Sequence, residues 1–339
     1  MQIEHGGALD RALERFGGAP SDWIDLSTGI NPEVLPLPSI GPEIWNRLPD
    51  EKLLTSTLDA ARKYYGALAE AGIVAAPGTQ SLIQILPDIV AEKGEVAIVG
   101  PTYQEHSASF LNAGWRISSC RSIDEILPSS KVAVVVNPNN PDGRIVSRTS
   151  LLELAGRMES RGGVLIVDEA FADAHPEASI ANHTGKSGLI ILKSFGKFFG
   201  LGGLRLGFAL TTHDIALALR LRLGPWAVSG PALHIASHAF SDEVLLAGFA
   251  KRLRARRELL GRVLAEAGLL QVGGTMLFSL VEFKQARQLH EALCEQHVLT
   301  RKFDYAPQWL RFGLPLDENA AERLRQRLRI VLSAIPPLI

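Results

Sequence analysis

Leu189-Ile190-Ile191-Leu192-Lys193-Ser194-Phe195-Gly196-Lys197-Phe198 is the stretch on which the fold turns. Its first four residues are apolar, rich in β-branching and uncharged, the pattern of a short buried strand. A serine, a glycine and two lysines follow at once. A lysine just past a buried strand can act as an amine nucleophile toward an aldehyde. Alone it would more often mark a solvated strand end, so the meaning of Lys197 depends on its company. Upstream, Asn137-Pro138-Asn139-Asn140-Pro141 and Asp168-Glu169-Ala170-Phe171 each close an apolar run, 132–136 and 164–167. Downstream, Gly202-Gly203-Leu204-Arg205-Leu206-Gly207 opens another at 206–210. A further strand is expected at 95–99, with helices at 104–112, 148–160 and 213–223. Such alternation predicts an α/β fold, with a mostly parallel central sheet covered by helices.

The flanks read differently. After Pro231 the chain turns to long amphipathic helices, roughly 241–267 and 285–296. Strands at 277–281 and 309–312 and a last helix at 318–332 complete a smaller α+β unit. Residues 1–40 carry one short strand, 23–26, and prolines at 32, 36 and 38 that leave little room for regular structure. Too short for a core of its own, this arm is expected to pack with the small unit. The organisation expected is an arm (1–40), a large domain (41–235) and a small C-terminal domain (236–339).

The 35 Lys+Arg and 36 Asp+Glu leave a net charge of -1, which argues against a general nucleic-acid binder. The basic run Lys251-Arg252-Leu253-Arg254-Ala255-Arg256-Arg257 reads as the solvated face of an amphipathic helix. Cys120 and Cys294 are too few for a disulfide framework and read as packed thiols. His234 and His238 have the spacing of a zinc pair but lack the following Glu and a third ligand, so no metal is expected. Met1-Gln2-Ile3-Glu4-His5-Gly6-Gly7 lacks the form of a secretory signal, and no apolar run nears the roughly 18 residues of a membrane span. A cytoplasmic protein without membrane partners is expected.

Ligands of open α/β sheets gather at the carboxyl ends of the strands, where all these motifs fall. Together they suit pyridoxal 5'-phosphate (PLP). Gly78-Thr79-Gln80 opens a helix whose N–H groups can meet a phosphate, and Ser194 and Arg205 can add a hydroxyl and a guanidinium. Asp168 would keep a pyridine nitrogen protonated, because a neighbouring anion raises the pKa of a cationic acid. Asn140 would bond the ring oxygen, Tyr103 stack on the ring, and Lys197 join the cofactor's aldehyde and move protons at the substrate's Cα. Singly, these are ordinary helix caps, turns and half-buried side chains; the ordered conjunction carries the reading.

Nearly the whole chain resembles the fold-type I PLP enzymes of the aspartate aminotransferase superfamily. Within it, the chain most resembles the threonine-phosphate decarboxylases of cobalamin biosynthesis, with histidinol-phosphate aminotransferases as close relatives. The features that carry this likeness are His5-Gly6-Gly7, Leu26-Ser27-Thr28-Gly29-Ile30-Asn31-Pro32 and Gly224-Pro225-Trp226-Ala227-Val228-Ser229. Phe171 stands where the aminotransferases usually carry a tyrosine that bonds the ring oxygen. The resemblance implies a homodimer acting on a small phosphorylated amino acid, L-threonine O-3-phosphate. It gives His5, Gly6, Gly7, Asn31, Arg301 and Arg311 to the substrate. A PLP-dependent aminotransferase is the alternative; a PLP-sensing regulator, which would need an attached DNA-binding domain, is the remote one. There are two departures. Asp142 stands in place of a turn threonine. In Arg47-Leu48-Pro49-Asp50, Leu48 replaces a tyrosine that reaches the partner subunit's cofactor phosphate.

Overall fold

A computed structural model describes residues 5–335; residues 1–4, the start of the stretch expected not to be a secretory signal, and 336–339, the end of the expected C-terminal domain, lie outside it. In chain order the strands are β1 (Ile24–Asp25), β2 (Gly72–Ala76), β3 (Glu95–Val99), β4 (Arg116–Cys120), β5 (Val132–Val136), β6 (Val164–Asp168), β7 (Leu189–Ser194), β8 (Gly207–Thr211), β9 (Leu270–Thr275), β10 (Phe278–Glu282), β11 (Val298–Leu299), β12 (Arg301–Lys302) and β13 (Trp309–Gly313). The chain divides into two compact units.

The larger unit comprises Leu35–Asn140 and Arg144–Gly248. Its seven-stranded sheet has the order β2-β8-β7-β6-β5-β3-β4. Strands β3 to β7 run parallel, and β8 is antiparallel to both β7 and β2. The fold is therefore the mostly parallel α/β arrangement that the alternation predicts. Strands covered on both faces need apolar residues throughout, and every residue of β5, β6 and β7 is buried. Helix Gln104–Asn112 links β3 to β4, Arg148–Glu159 links β5 to β6, and His213–Leu223 follows β8.

Two expectations need correction. The strand placed at 206–210 runs 207–211, and the helix placed at 241–267 runs Glu243–Glu266 and is preceded by a separate, unanticipated helix, Gly230–Ser241. Asp242 makes the break: its Oδ1 accepts from Leu245 N at 2.8 Å and caps the second helix. Strand β4 escaped the sequence reading because it is a polar edge strand in which only Cys120 is buried.

The smaller unit holds the residues up to Val34, Pro141–Gly143, and those from Phe249 on. Its antiparallel sheet has the order β12-β13-β10-β9, and β1 pairs in parallel with β11. Trp23 packs with Ala12, Cys294 and Leu299. The basic run is largely engaged here: Arg252 and Arg256 meet Glu33 at 2.8 and 2.6 Å, and Arg257 Nε donates to Thr275 O at 3.0 Å. The turn at Asp142 rests on β9, with Gly274 N donating to Asp142 O at 2.9 Å. A side chain at Gly273 would strike that same carbonyl, so Gly273 is what lets the turn seat.

Candidate active site

The register of the large sheet gathers its strand ends along one edge. Val136 lies opposite Asp168, and Asp168 opposite Leu192. Ser194 lies opposite Gly207, and Gly207 opposite Ala76. Gly78, Thr79 and Gln80 follow β2, Tyr103 follows β3 and Asn140 follows β5. Asp168 ends β6, Ser194 ends β7 and Arg205 precedes β8.

The structure separates the two lysines of the opening stretch. Lys193 points into the protein, 2% exposed, with its ammonium 2.6 Å from Glu169 and 3.1 Å from Ser179 Oγ. Lys197 sits on the single helical turn Phe195–Phe198. Phe195 and Phe199, four residues apart and so on one face, stack at 4.1 Å and are wholly buried, with Phe240 edge-on to Phe195. That anchors the inner face and leaves Lys197 on another, half-buried, its Nζ 5.8 Å from the ring of buried Phe171.

Asp168 is 3% exposed; its Oδ1 accepts from Ala170 N at 3.0 Å and its Oδ2 lies 2.9 Å from His106 Nε2. His106, itself buried, is a site residue that sequence reasoning missed. Its only signal is its place three residues after Tyr103, where a histidine on a helix reads equally well as packing. The Tyr103 hydroxyl donates to Gln80 Oε1 at 3.1 Å, and Gln80 Nε2 donates to Glu105 at 2.7 Å. The Gln80 side chain thus holds Tyr103. Asn139, beside Asn140, is tied to the same turn: it accepts from Thr102 Oγ1 at 2.6 Å and donates to Pro101 O at 2.9 Å.

Two glycines allow the close approach of Arg205 and of the Thr79 amide. A Cβ on Gly78, whose φ is +79°, would stand 2.7 Å from Arg205 Nη2, and one on Gly207 would stand 2.6 Å from Thr79 N. Arg205 takes a left-handed φ of 54°, a strained choice for a non-glycine residue, and its Nη1 donates to Gly202 O at 3.1 Å. A guanidinium against a side-chain-free turn, a buried carboxylate fixed by a histidine, and a lysine on the same sheet edge fit PLP.

In the smaller unit Arg301 and Arg311 face each other across β12 and β13. Arg311 is 5% exposed; its Nη2 donates to Ser27 O at 2.9 Å and its guanidinium lies 4.8 Å from the Phe278 ring. Burial first, and Arg301 second, hold the Arg311 guanidinium down to about 9. His5, Gly6, Gly7, Ser27 and Arg301 line a cavity of about 120 Å³. Gly7 N donates to Ser27 Oγ at 2.7 Å, and a side chain at Gly6 would collide with Ser27 O. Asn31 is buried and accepts from Glu33 N at 3.1 Å.

Residues 41–328 match the family described as aminotransferase class I and II, and the chain belongs to that family. Within it, the chain is 46% identical over 334 residues to a threonine-phosphate decarboxylase from a Sinorhizobium species, covering 96% of this chain and 97% of that one. It is 41% identical over 325 residues to a threonine-phosphate decarboxylase from Pseudomonas aeruginosa, covering 95% and 96%. In fold it is similar to the histidinol-phosphate aminotransferase from Sinorhizobium meliloti solved in complex with pyridoxal-5'-phosphate, with a TM-score of 0.81, 18% identity, and 98% and 96% of the two chains covered.

Proposed function

We propose that the chain is a PLP-dependent decarboxylase that converts L-threonine O-3-phosphate to (R)-1-amino-2-propanol O-2-phosphate and carbon dioxide, a step of cobalamin biosynthesis. The observation that carries this reading is the full-length, 46% identity to a threonine-phosphate decarboxylase. When bound, PLP supplies an aldehyde and an electron-withdrawing ring that takes up the electron pair left by the departing carboxylate. Lys197 supplies the amine that holds the cofactor and moves the proton at Cα. Asp168, oriented by His106, keeps the ring nitrogen protonated. Asn140 hydrogen-bonds the ring oxygen, and Tyr103 covers the ring. Gly78, Thr79, Gln80, Ser194 and Arg205 form the phosphate cradle, where Gln80 acts by holding Tyr103. Phe171 is apolar and offers no hydroxyl. Arg301 and Arg311, with His5, Gly6, Gly7 and Asn31, hold the acidic ends of the substrate. By fixing the substrate's acidic ends, those cations would orient the bonds at Cα, and their placement decides between decarboxylation and transamination.

In this reading the enzyme is a cytoplasmic homodimer with no nucleic-acid or membrane partner. Among the described residues no helix is long and apolar enough to cross a membrane. The larger unit exposes Trp45, Leu48, Leu221 and Trp226 by 60% or more each, which supports a partner copy. The test is a turnover assay on PLP-loaded protein with L-threonine O-3-phosphate and no oxo-acid acceptor. Carbon dioxide and aminopropanol phosphate, read by mass spectrometry, are expected. Amino transfer from histidinol phosphate to 2-oxoglutarate without decarboxylation would overturn the reading.

A further inference from the structure

Beside the two arginines of the smaller unit stands a phenol. The Arg301 guanidinium lies 5.4 Å from the ring of Phe303, and the Phe303 ring lies 5.5 Å from that of Tyr305. Phe303 thus neighbours both the cation and the phenol, and Arg311 stands directly across from Arg301. Tyr305 is 41% exposed, so a solute can reach it. Its hydroxyl is within electrostatic range of Arg301, Arg311 and Asp142. Burial, the largest influence, pushes the phenol up to about 12 against the pull of the two arginines, so it stays a proton donor throughout the neutral range.

Charge and valence say what such a donor is for. Two guanidiniums and the Asp142 carboxylate leave one net positive charge on this face. A substrate bearing a carboxylate and a phosphate monoester brings roughly two and a half to three negative charges, offset by the one positive charge of its amino group. Its phosphate alone has three terminal oxygens, each able to accept more than one bond. A neutral hydroxyl adds a donor without adding charge. We propose that Tyr305 donates its hydroxyl to the acidic substrate held by Arg301 and Arg311, and so helps to set specificity for phosphorylated over unphosphorylated amino acids. This rests on the decarboxylase reading and adds to it a residue outside the arginine pair.

The test compares PLP-loaded wild type with Tyr305→Phe, which keeps the ring and its packing on Phe303. For L-threonine O-3-phosphate the KM is expected to rise about ten- to a hundredfold, the worth of one hydrogen bond to a charged group, with kcat held within about twofold. The visible cofactor spectrum and the melting temperature should not move. Inorganic phosphate, titrated calorimetrically into both proteins, should bind the variant more weakly by a similar factor. An unchanged KM and an unchanged phosphate affinity overturn the assignment. So does a fall in kcat accompanied by a lower melting temperature, which would make Tyr305 a structural residue. If wild type does not turn over the substrate, the decarboxylase reading fails. The phosphate titration then still judges Tyr305: equal affinity in both proteins, or no binding by wild type, refutes its role.

Discussion

Lys193 and Lys197, four positions apart, have opposite characters, and substitution should tell them apart. Lys197→Ala is expected to remove the visible absorbance of lysine-bound cofactor together with all measurable turnover. Lys193→Met should leave that absorbance in place and instead destabilise the fold, because it strands the carboxylate of Glu169, 0% exposed and 2.6 Å from the Lys193 ammonium. Removing one partner of a buried ion pair costs about 3–5 kcal/mol, readable as a lower urea midpoint. A reversed result, with Lys193 controlling the spectrum, would move the site. His106→Phe belongs at the same scale. It takes from Asp168 one of two hydrogen bonds, at 2.9 Å, and kcat is expected to fall about ten- to a hundredfold with cofactor retained. Lys197 and Asp168 were legible in the sequence because each follows an unbroken apolar strand. His106 was not, since a helix interior histidine looks the same whether it packs against a core or holds a carboxylate.

The elements that meet at Glu169 and Lys193 also carry a group that titrates near neutrality. Asp173 lies on the helical turn Ala172–Ala174 just beyond β6. Burial raises its carboxyl to about 7; Lys193 of β7 opposes the rise and Glu169, the residue after β6, adds to it. Tyr64 and Tyr65, from the helix Glu51–Tyr65, face the same group, and both phenols are raised, first by burial and then by Asp173. The unfolded carboxyl titrates near its ordinary 3.8, so between about 4 and 7 the folded state binds the extra proton. Stability therefore falls as pH rises through that window, and the whole penalty, of the order of 4 kcal/mol at most, is present above pH 7. Asp173→Asn is expected to raise the melting temperature at pH 8 and to change it little at pH 4.5, measured by thermal melts at the two values. An equal gain at both would mean that the effect is packing rather than titration. At this scale the sequence was legible wherever a strand is buried on both faces, as in β5, β6 and β7. It was silent on β12, because two residues are too few to show a period, even though that strand sets Arg301 opposite Arg311.

At the scale of the whole molecule, the apolar surface of the larger unit is the feature with the widest consequence. Leu221 and Trp226, 74% and 60% exposed, line a cavity of about 410 Å³ together with Pro49 and Val228. Leu48, 64% exposed, directly precedes Pro49. In the sequence these residues look like helix ends and a Pro-rich turn, because exposure is a property of the folded surface and leaves no local pattern. Full burial of one such side chain contributes roughly 1.5–3 kcal/mol. Covering several by a second copy is therefore enough to matter for association, whereas leaving them wet favours non-specific contacts. The expectation is a wild-type protein at twice the chain mass by light scattering. The double variant Leu221→Asp/Trp226→Asp should run at the chain mass with an unchanged far-ultraviolet circular dichroism spectrum, since both side chains are already at the surface. Wild type at the chain mass, with full decarboxylase activity, would refute the dimer. A double variant that stays dimeric would place the partner elsewhere on the unit and leave this surface without its proposed task.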